Sequence, residues 1–409
     1  MSASITFVIP TRNRAELAMR AAAGLLGEGG AELRVVVSDN STDEDQAGRL
    51  ASFCSARADA RLTYLRAPDL VMPAHWDWAL ERALASHETT HLTVHYDRKV
   101  PKRGQMRRLL DAIDRHPDRV VTYSVDQVDE RPPGYVLWQA PGTGRLYEIP
   151  TARVLEIATE GRIADMGHAF PILSNCAVPR QVFADIRERF GDICDSTGPD
   201  IAFTFRFCAL AGSYLHLDAS LGIVYASHRS NGAGYLSGKP TDFLDFKRAW
   251  GERPWLDAAP LPGLDLGWNL PFHEYELVRR EIGGDELPPV STQGYLHGLA
   301  HGLSYVDDQS RREELRALLV ERGWQPPAEP VGAHVRRTIR SRVGGLRRRK
   351  SVVAFLASTL GVRPAHITGF TFRTEGEAIE FANRFPRREV AHHEGLDWIR
   401  ADRAAEPWS

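Results

Sequence analysis

Short apolar runs alternate with helically spaced apolar residues over the first hundred positions. Ile5-Thr6-Phe7-Val8-Ile9 is such a run, stopped by Pro10, and it predicts a strand buried on both faces. Residues 15–26 are Ala/Leu-rich with helical spacing, and Gly27, Gly29 and Gly30 are expected to end that helix. Leu33 to Ser38 predicts a second buried strand, followed at once by Asp39-Asn40-Ser41. A helix is predicted over 44–57, a strand over Leu62 to Leu65, a helix over 74–86 and a strand over His91 to Val94. Strands and helices alternating at this spacing imply βαβ units and a mostly parallel sheet.

The middle of the chain is less regular. A helix is predicted over 103–115 and a strand over Arg119 to Ser124, while the Pro- and Gly-rich stretch 131–150 reads as a loop or hairpin. Helices are predicted over 180–190 and 199–211, and a strand over Leu221 to Ala226 leads into a Ser/Gly/Asn-rich loop at 227–239. Beyond about residue 240 helices dominate, at 272–282, 292–304 and 309–322, before Pro326, Pro327 and Pro330 mark a linker. The remainder holds a basic run and an apolar helix at 351–360, with a small α+β tail. The predicted organisation is therefore an α/β domain over 1–239, a helical extension over 240–330, and a basic segment with a small C-terminal α+β region over 331–409.

Composition narrows the class. The 409 residues predict two or three domains, and 43 % hydrophobic with 25 % charged residues is ordinary for a globular chain. Lys plus Arg (51) nearly balances Asp plus Glu (53), which argues against a nucleic-acid binder dominated by phosphate contacts. Four cysteines, at 54, 176, 194 and 208, form no C-x-x-C pair, suit a reducing compartment and are expected to be buried fillers. The opening MSASITFVIPTRNR lacks the features of a signal peptide, and no apolar run reaches the roughly 18 residues of a membrane span. The expected location is cytoplasmic, with peripheral contact at the inner face of a membrane as an added option.

Chemistry concentrates where strands end. In an open parallel sheet, ligands bind outside the carboxyl ends of the strands. Strand one ends at Pro10-Thr11-Arg12-Asn13-Arg14, strand two at Asp39-Asn40-Ser41-Thr42-Asp43, and strand four at His95-Tyr96-Asp97-Arg98-Lys99. Carboxylates there can accept from ribose hydroxyls or a base N–H, and arginines can hold phosphate oxygens. Together these make a nucleotide site. Strand one is not followed by G-x-G-x-x-G or by a Walker A lysine, which disfavours Rossmann dehydrogenases and P-loop NTPases.

V-I-P-T-R-N-R at 8–14 followed by V-V-V-S-D-N-S-T-D at 35–43 resembles the opening of family 2 glycosyltransferases. The resemblance covers about residues 4–235. It implies a GT-A-type fold, a nucleotide-sugar donor, an acceptor hydroxyl and a metal-binding D-x-D. Carried over by position, Pro10, Thr11, Arg12 and Arg14 would line the nucleoside pocket, Asp39 and Asn40 would contact base or ribose, and Asp77 in Trp76-Asp77-Trp78 would lie near the diphosphate. His95-Tyr96-Asp97 falls on the D-x-D position, with histidine in place of the first acid. Ser174-Asn175-Cys176-Ala177-Val178 with Arg180 resembles the acceptor-side strand and helix. Asp200 in Gly198-Pro199-Asp200 would be the base, and His228 in Tyr225-Ala226-Ser227-His228 the late histidine of the family.

The physical requirements match these roles. A sugar–diphosphate bond breaks to leave an anion that must be stabilised, usually by a divalent cation. Asp97, His95 and His228 would form a mixed carboxylate/imidazole set, which suits Mn²⁺ better than Mg²⁺. Arg98, Lys99 or Arg229 would share the neutralisation and would partly replace the metal. Asp200 would take the acceptor proton, and direct displacement would invert the anomeric centre. The acceptor is a glycan, a lipid-linked molecule or a small molecule.

Plainer readings stand beside these. Asp39-Asn40-Ser41 can be a turn with a helix cap, Asp200 can merely cap its helix, and Asp195 is a rival base. Trp76 and Trp78 read as core, and His297 with His301 as helix packing. Arg336, Arg337, Arg340, Arg342, Arg347, Arg348, Arg349 and Lys350 form a solvated face, an anionic-membrane patch or a nucleic-acid patch, the last disfavoured. Two other functions stay open: a catalytically silent nucleotide-sugar-binding protein on the same fold, and a sugar nucleotidyltransferase. The lack of glycine in Thr11-Arg12-Asn13-Arg14 counts against the second.

Overall fold

A computed structural model describes residues 3–230, 250–326 and 369–398, apart from positions 132, 265, 285, 307 and 397. The basic run at 336–350 and the predicted helix at 351–360 lie outside the described residues.

The first half alternates as its pattern predicts. Strands β1 (Ile5–Thr11), β2 (Leu33–Asp39), β3 (Leu62–Arg66) and β4 (His91–Val94) alternate with helices α1 (Ala15–Glu28), α2 (Glu44–Arg57) and α3 (Met72–Ser86). The four strands run parallel in the order β3-β2-β1-β4. Both faces of β1 are covered: Ile5, Phe7 and Ile9 join one apolar cluster and Val8 the other. That explains the run without polar alternation, each such side chain contributing about 1.5–3 kcal/mol on burial.

Strand β1 runs past the expected stop at Pro10 to Thr11. Val8 accepts from the His95 amide on the β4 side, and Pro10, two residues on, faces the same way. The β1–β4 ladder ends at the Val8–Val94 pair, so no partner awaits the missing Pro10 N–H. Helix α1 likewise continues through Gly27 and stops at Glu28, with Gly29 as its cap.

Beyond β4 the sheet becomes mixed. The chain adds β5 (Lys99–Pro101), α4 (Met106–Arg115), β6 (Val121–Arg131), β7 (Gly134–Trp138), β8 (Leu146–Pro150), α5 (Thr151–Thr159), β9 (Cys176–Pro179), α6 (Arg180–Phe190), α7 (Pro199–Leu210) and β10 (Ser213–Val224). Strand β9 pairs antiparallel with both β4 and β6, and β10 lies parallel to β6. The stretch expected as a loop or hairpin at 131–150 does form a hairpin, β7 folding back antiparallel on β6, and it also supplies β8, which pairs with the distant β10.

The predicted boundary near 240 does not divide the core. Tyr275, Val278 and Ile282, from the helix Asn269–Glu281 and its end, belong to the cluster that also holds Phe203 and Phe207 of α7. The helix Thr292–Gly302 approaches the chain so closely that a Cβ on Gly161, whose φ is +72°, would collide with the carbonyl of Gly294. The C-terminal residues are not a separate tail either. Strand β11 (Gly369–Phe372) pairs antiparallel with β7, and the helix Glu375–Arg384 buries Ala378, Ile379, Phe381 and Ala382 in a cluster with Leu137 and Tyr225. Among the described residues no helix is long and apolar enough to cross a membrane.

Candidate functional site

The site lies where β1, β2 and β4 end and α7 begins. The β1–β2 register sets Thr11 beside Asp39, and the Asn40 amide donates to the Thr11 carbonyl. Asn13 bridges the two turns. Its backbone sits at φ 55°, a left-handed conformation that asparagine tolerates, and its Oδ1 accepts from the amides of Thr42 and Asp43, each at 3.0 Å. The strand-one motif contains Asn13 without assigning it a role. The signal available was an asparagine directly after a strand end, a residue type that favours turns.

Asp39 is fully buried and richly bonded. Its Oδ1 accepts from the Ser41 amide at 2.9 Å, and its Oδ2 accepts from the Tyr64 hydroxyl at 2.8 Å and faces Arg66 at 3.2 Å. The carboxylate thus closes the turn that the plainer reading described, with Tyr64 and Arg66 as its partners. Asn40 exchanges two hydrogen bonds with the backbone of Leu70, which ties the strand-two end to that loop. Arg12 donates to Asp69 and to the Leu70 carbonyl of the same loop.

Asp77 also has a structural task. Its Oδ1 accepts from the amides of Ile193 and Cys194, at 2.7 and 3.0 Å, and so holds the segment that leads to α7. Arg180 donates to the carbonyls of Leu84 and His87 and closes the end of α3. Of the rival acids, Asp195 faces Arg253 at 3.3 Å. Cys176, Cys194 and Cys208 are buried as expected, whereas Cys54 is half-buried.

The strand-four end gathers Thr11, Arg14, Tyr96, Asp97, Arg98 and Asp200. Thr11 donates its hydroxyl to Asp97 Oδ2 at 2.9 Å, and Arg14 faces Asp97 Oδ1 at 3.7 Å. Tyr96 donates to Asp200 Oδ2 at 2.7 Å, joining the strand end to the first turn of α7. Arg98 lies over the Tyr96 ring, 4.8 Å from its centroid, and donates to Ser230 Oγ at 2.8 Å. Its charge acts on both Asp97 and Asp200.

Titration behaviour follows from these surroundings. Burial raises the Asp200 carboxyl above its ordinary range, while the Tyr96 hydroxyl, its own helix-start amides and Arg98 pull it back. Burial and the neighbouring Asp200 push the Tyr96 phenol up, so it stays a hydrogen-bond donor. Lys99 is wholly buried and is pushed down to about 7 by desolvation. Its ammonium donates to the Ser174 carbonyl and to the Tyr123 hydroxyl.

The expected metal set is not assembled. His95 is buried and donates from Nε2 to the Lys99 carbonyl at 2.9 Å, with its ring edge-on to Phe7. Desolvation holds that imidazole neutral, well below its usual range. His228 sits half-exposed 3.2 Å from Glu130. Among the described residues no three His, Cys, Asp or Glu side chains form a group that could hold a metal ion. The reason is local: after β4 the chain turns His95 into the core and Asp97 toward Thr11, so the two ligand types part. His301 of the other histidine pair packs edge-on against Trp268 at 4.8 Å, as helix packing requires.

No family model matches the sequence, and no curated protein matches it. Among solved structures, the chain is similar to three crystal structures of S. aureus TarS. For TarS 1-349 the identity is 12 %, covering 78 % of this chain and 88 % of that one, with a TM-score of 0.41. For TarS 1-349 in complex with UDP-GlcNAc the values are 16 %, 78 %, 87 % and 0.43. For TarS they are 14 %, 78 %, 52 % and 0.39.

Proposed function

We propose that this chain is a glycosyltransferase that moves a sugar from a nucleoside diphosphate donor to an acceptor hydroxyl, with inversion. The observation that supports this best is the hydrogen bond from Tyr96 to Asp200. It brings a carboxylate of raised pKa to the strand ends where Thr11, Arg14, Asp97 and Arg98 converge. A base beside an anion-stabilising cluster is what displacement at an anomeric carbon needs.

In this reading the nucleoside is received at the ends of β1 and β2, bordered by Pro10, Thr11 and Asp39 with its partners Tyr64 and Arg66. The acceptor oxygen attacks the anomeric carbon and passes its proton to Asp200. The new carbon–oxygen bond forms as the bond to the β-phosphate oxygen breaks, and that oxygen leaves with the electron pair as nucleoside diphosphate. No step is routed through a metal, because the residues expected to hold one do not fit it. The acceptor is proposed as a glycan, a lipid-linked molecule or a small molecule, and the location as cytoplasmic.

The test has two stages. Thermal unfolding is followed with a panel of nucleoside diphosphates and nucleotide sugars, where saturation at 100 times Kd adds about 2.7 kcal/mol. Release of nucleoside diphosphate is then followed with each acceptor class. Stabilisation by one nucleotide series with acceptor-dependent release is expected. A flat panel would remove the donor site. Binding without release for any acceptor would leave a silent binding protein, and pyrophosphate release from a nucleoside triphosphate would make it a nucleotidyltransferase.

A further inference from the structure

We infer that Arg14 and Arg98 form an anion clamp that takes the donor's diphosphate directly, in place of the divalent cation expected from the sequence. The inference rests on the donor reading above and specifies how that site carries the leaving group's charge.

The first ground is the state of Asp97. Its side chain is 5 % exposed, one oxygen accepts from the Thr11 hydroxyl, and the other faces the Arg14 guanidinium. Its charge is already answered from within the protein. A divalent ion approaching Asp97 would meet the fixed positive charges of Arg14 and Arg98, with neither His95 nor His228 joining to compensate.

The second ground is Arg98 itself. Its guanidinium is oriented by the Tyr96 ring and by Ser230, yet it forms no ion pair with any described carboxylate. It stands within electrostatic reach of Asp97, Asp200 and Arg14. A half-buried cation held in place without an ion pair is suited to an anionic ligand. Guanidinium forks match phosphate oxygens with paired N–H donors, which an ammonium cannot do. As the bond from the anomeric carbon breaks, charge gathers on the β-phosphate, and preorganised donors there act without rearrangement.

The experiment is isothermal titration of the full chain with the diphosphates of uridine, guanosine, adenosine, cytidine and thymidine, in EDTA and in Mn²⁺. The same titrations are run with the corresponding nucleosides. The clamp predicts that one diphosphate binds in EDTA with Kd within about twofold of its value in Mn²⁺. Arg98→Gln should weaken that diphosphate by about tenfold or more while leaving the nucleoside unchanged, since a hydrogen bond to a charged group is lost. Arg98→Lys should recover only part of the loss. Arg14→Gln is expected to act in the same direction, and the Arg98 variants keep the test sound if it fails to fold. Binding that appears only with Mn²⁺ would overturn the clamp and leave the donor site standing. Diphosphate binding in EDTA that Arg98→Gln does not alter would also overturn it. Absence of binding by every nucleotide in both conditions would overturn the donor reading and the clamp together.

Discussion

The hydroxyl of Tyr96 donates to Asp200 Oδ2 at 2.7 Å, linking residues 104 positions apart in the chain. Tyr96 follows the end of a central parallel strand, and Asp200 sits in the first turn of α7 behind Gly198 and Pro199. The bond orients the carboxylate and favours its charged form, while burial disfavours it. The balance leaves a carboxyl whose pKa lies above that of an ordinary surface carboxylate.

Removing each partner separates position from basicity. Asp200→Asn should lower transfer by about 10²–10⁴-fold, the usual span for a lost general base, with nucleotide affinity retained. Tyr96→Phe removes a bond that stabilises the ionised base, so the Asp200 pKa rises. The acidic limb of the pH profile of kcat/KM should therefore move to higher pH. A limb that stays in place would show that Asp200 does not report the reacting proton.

Asp77 is expected to matter for stability and not for the donor. One oxygen takes both backbone amides of Ile193 and Cys194, and burial raises its carboxyl above the ordinary range. Asp77→Ala leaves two buried N–H groups unanswered and should cost about 2 kcal/mol or more. Asp77→Asn keeps an oxygen at the same place, so its melting temperature should stay close to that of the parent. Equal losses in the two variants, or a loss of nucleotide affinity in Asp77→Asn, would return the residue to the donor site.

Much of this architecture was legible because its signals are local. Asp43 accepts from the amides of Asp45 and Gln46, and the helix it caps spans Glu44–Arg57 as its pattern predicts. The apolar runs of β1, β2 and β4 carry their own evidence of burial. Strands β7 and β8 do not: they lie among Pro and Gly, and although β7 closes a hairpin with its neighbour β6, its other partner β11 and the β10 partner of β8 are distant in sequence. The site divided in the same way. Asp97, Arg98 and Asp200 stand out as charges at a strand end and a helix start. Lys99 looks identical to a surface lysine, because the Tyr123 and Ser174 that bury it come from other segments. The place of His95 in a motif suggests a ligand, whereas its direction depends on how the chain turns after Val94, which residue type does not encode.

A collision test probes how the helical extension is seated. Gly161 has φ +72°, and a Cβ there would fall 1.8 Å from the Gly294 carbonyl oxygen. Gly161→Ala combines left-handed strain with a backbone clash, so a loss of more than 1 kcal/mol is expected. Gly191→Ala is the control. That residue has φ +86° but open space around its Cβ position, so it carries the strain without the clash. Equal effects in thermal unfolding would mean that the extension yields at this contact.

Glu274 gives the clearest pH signature. This buried carboxylate, on the helix Asn269–Glu281, accepts from Ser196 Oγ and from the Gly198 amide, just ahead of Asp200. Burial raises its pKa to about 7, although Ser196, Gly198 and Arg206 oppose the shift. In the folded protein it holds its proton at pH values where the unfolded chain has released it. Its contribution to stability is thus full below the unfolded value of 4.5, and it is lost as pH rises through about 7. The total change is on the order of 3 kcal/mol. Glu274→Gln removes the titration but keeps an oxygen for Gly198 and offers an N–H to the Ser196 oxygen. Melting temperatures of the two proteins should therefore diverge between pH 4.5 and 7 in favour of the variant and run parallel above about pH 8. Curves parallel over the whole range would show that Glu274 ionises at the same pH in the folded and unfolded chain, so that it anchors the segment before Asp200 as a charge above about pH 4.5.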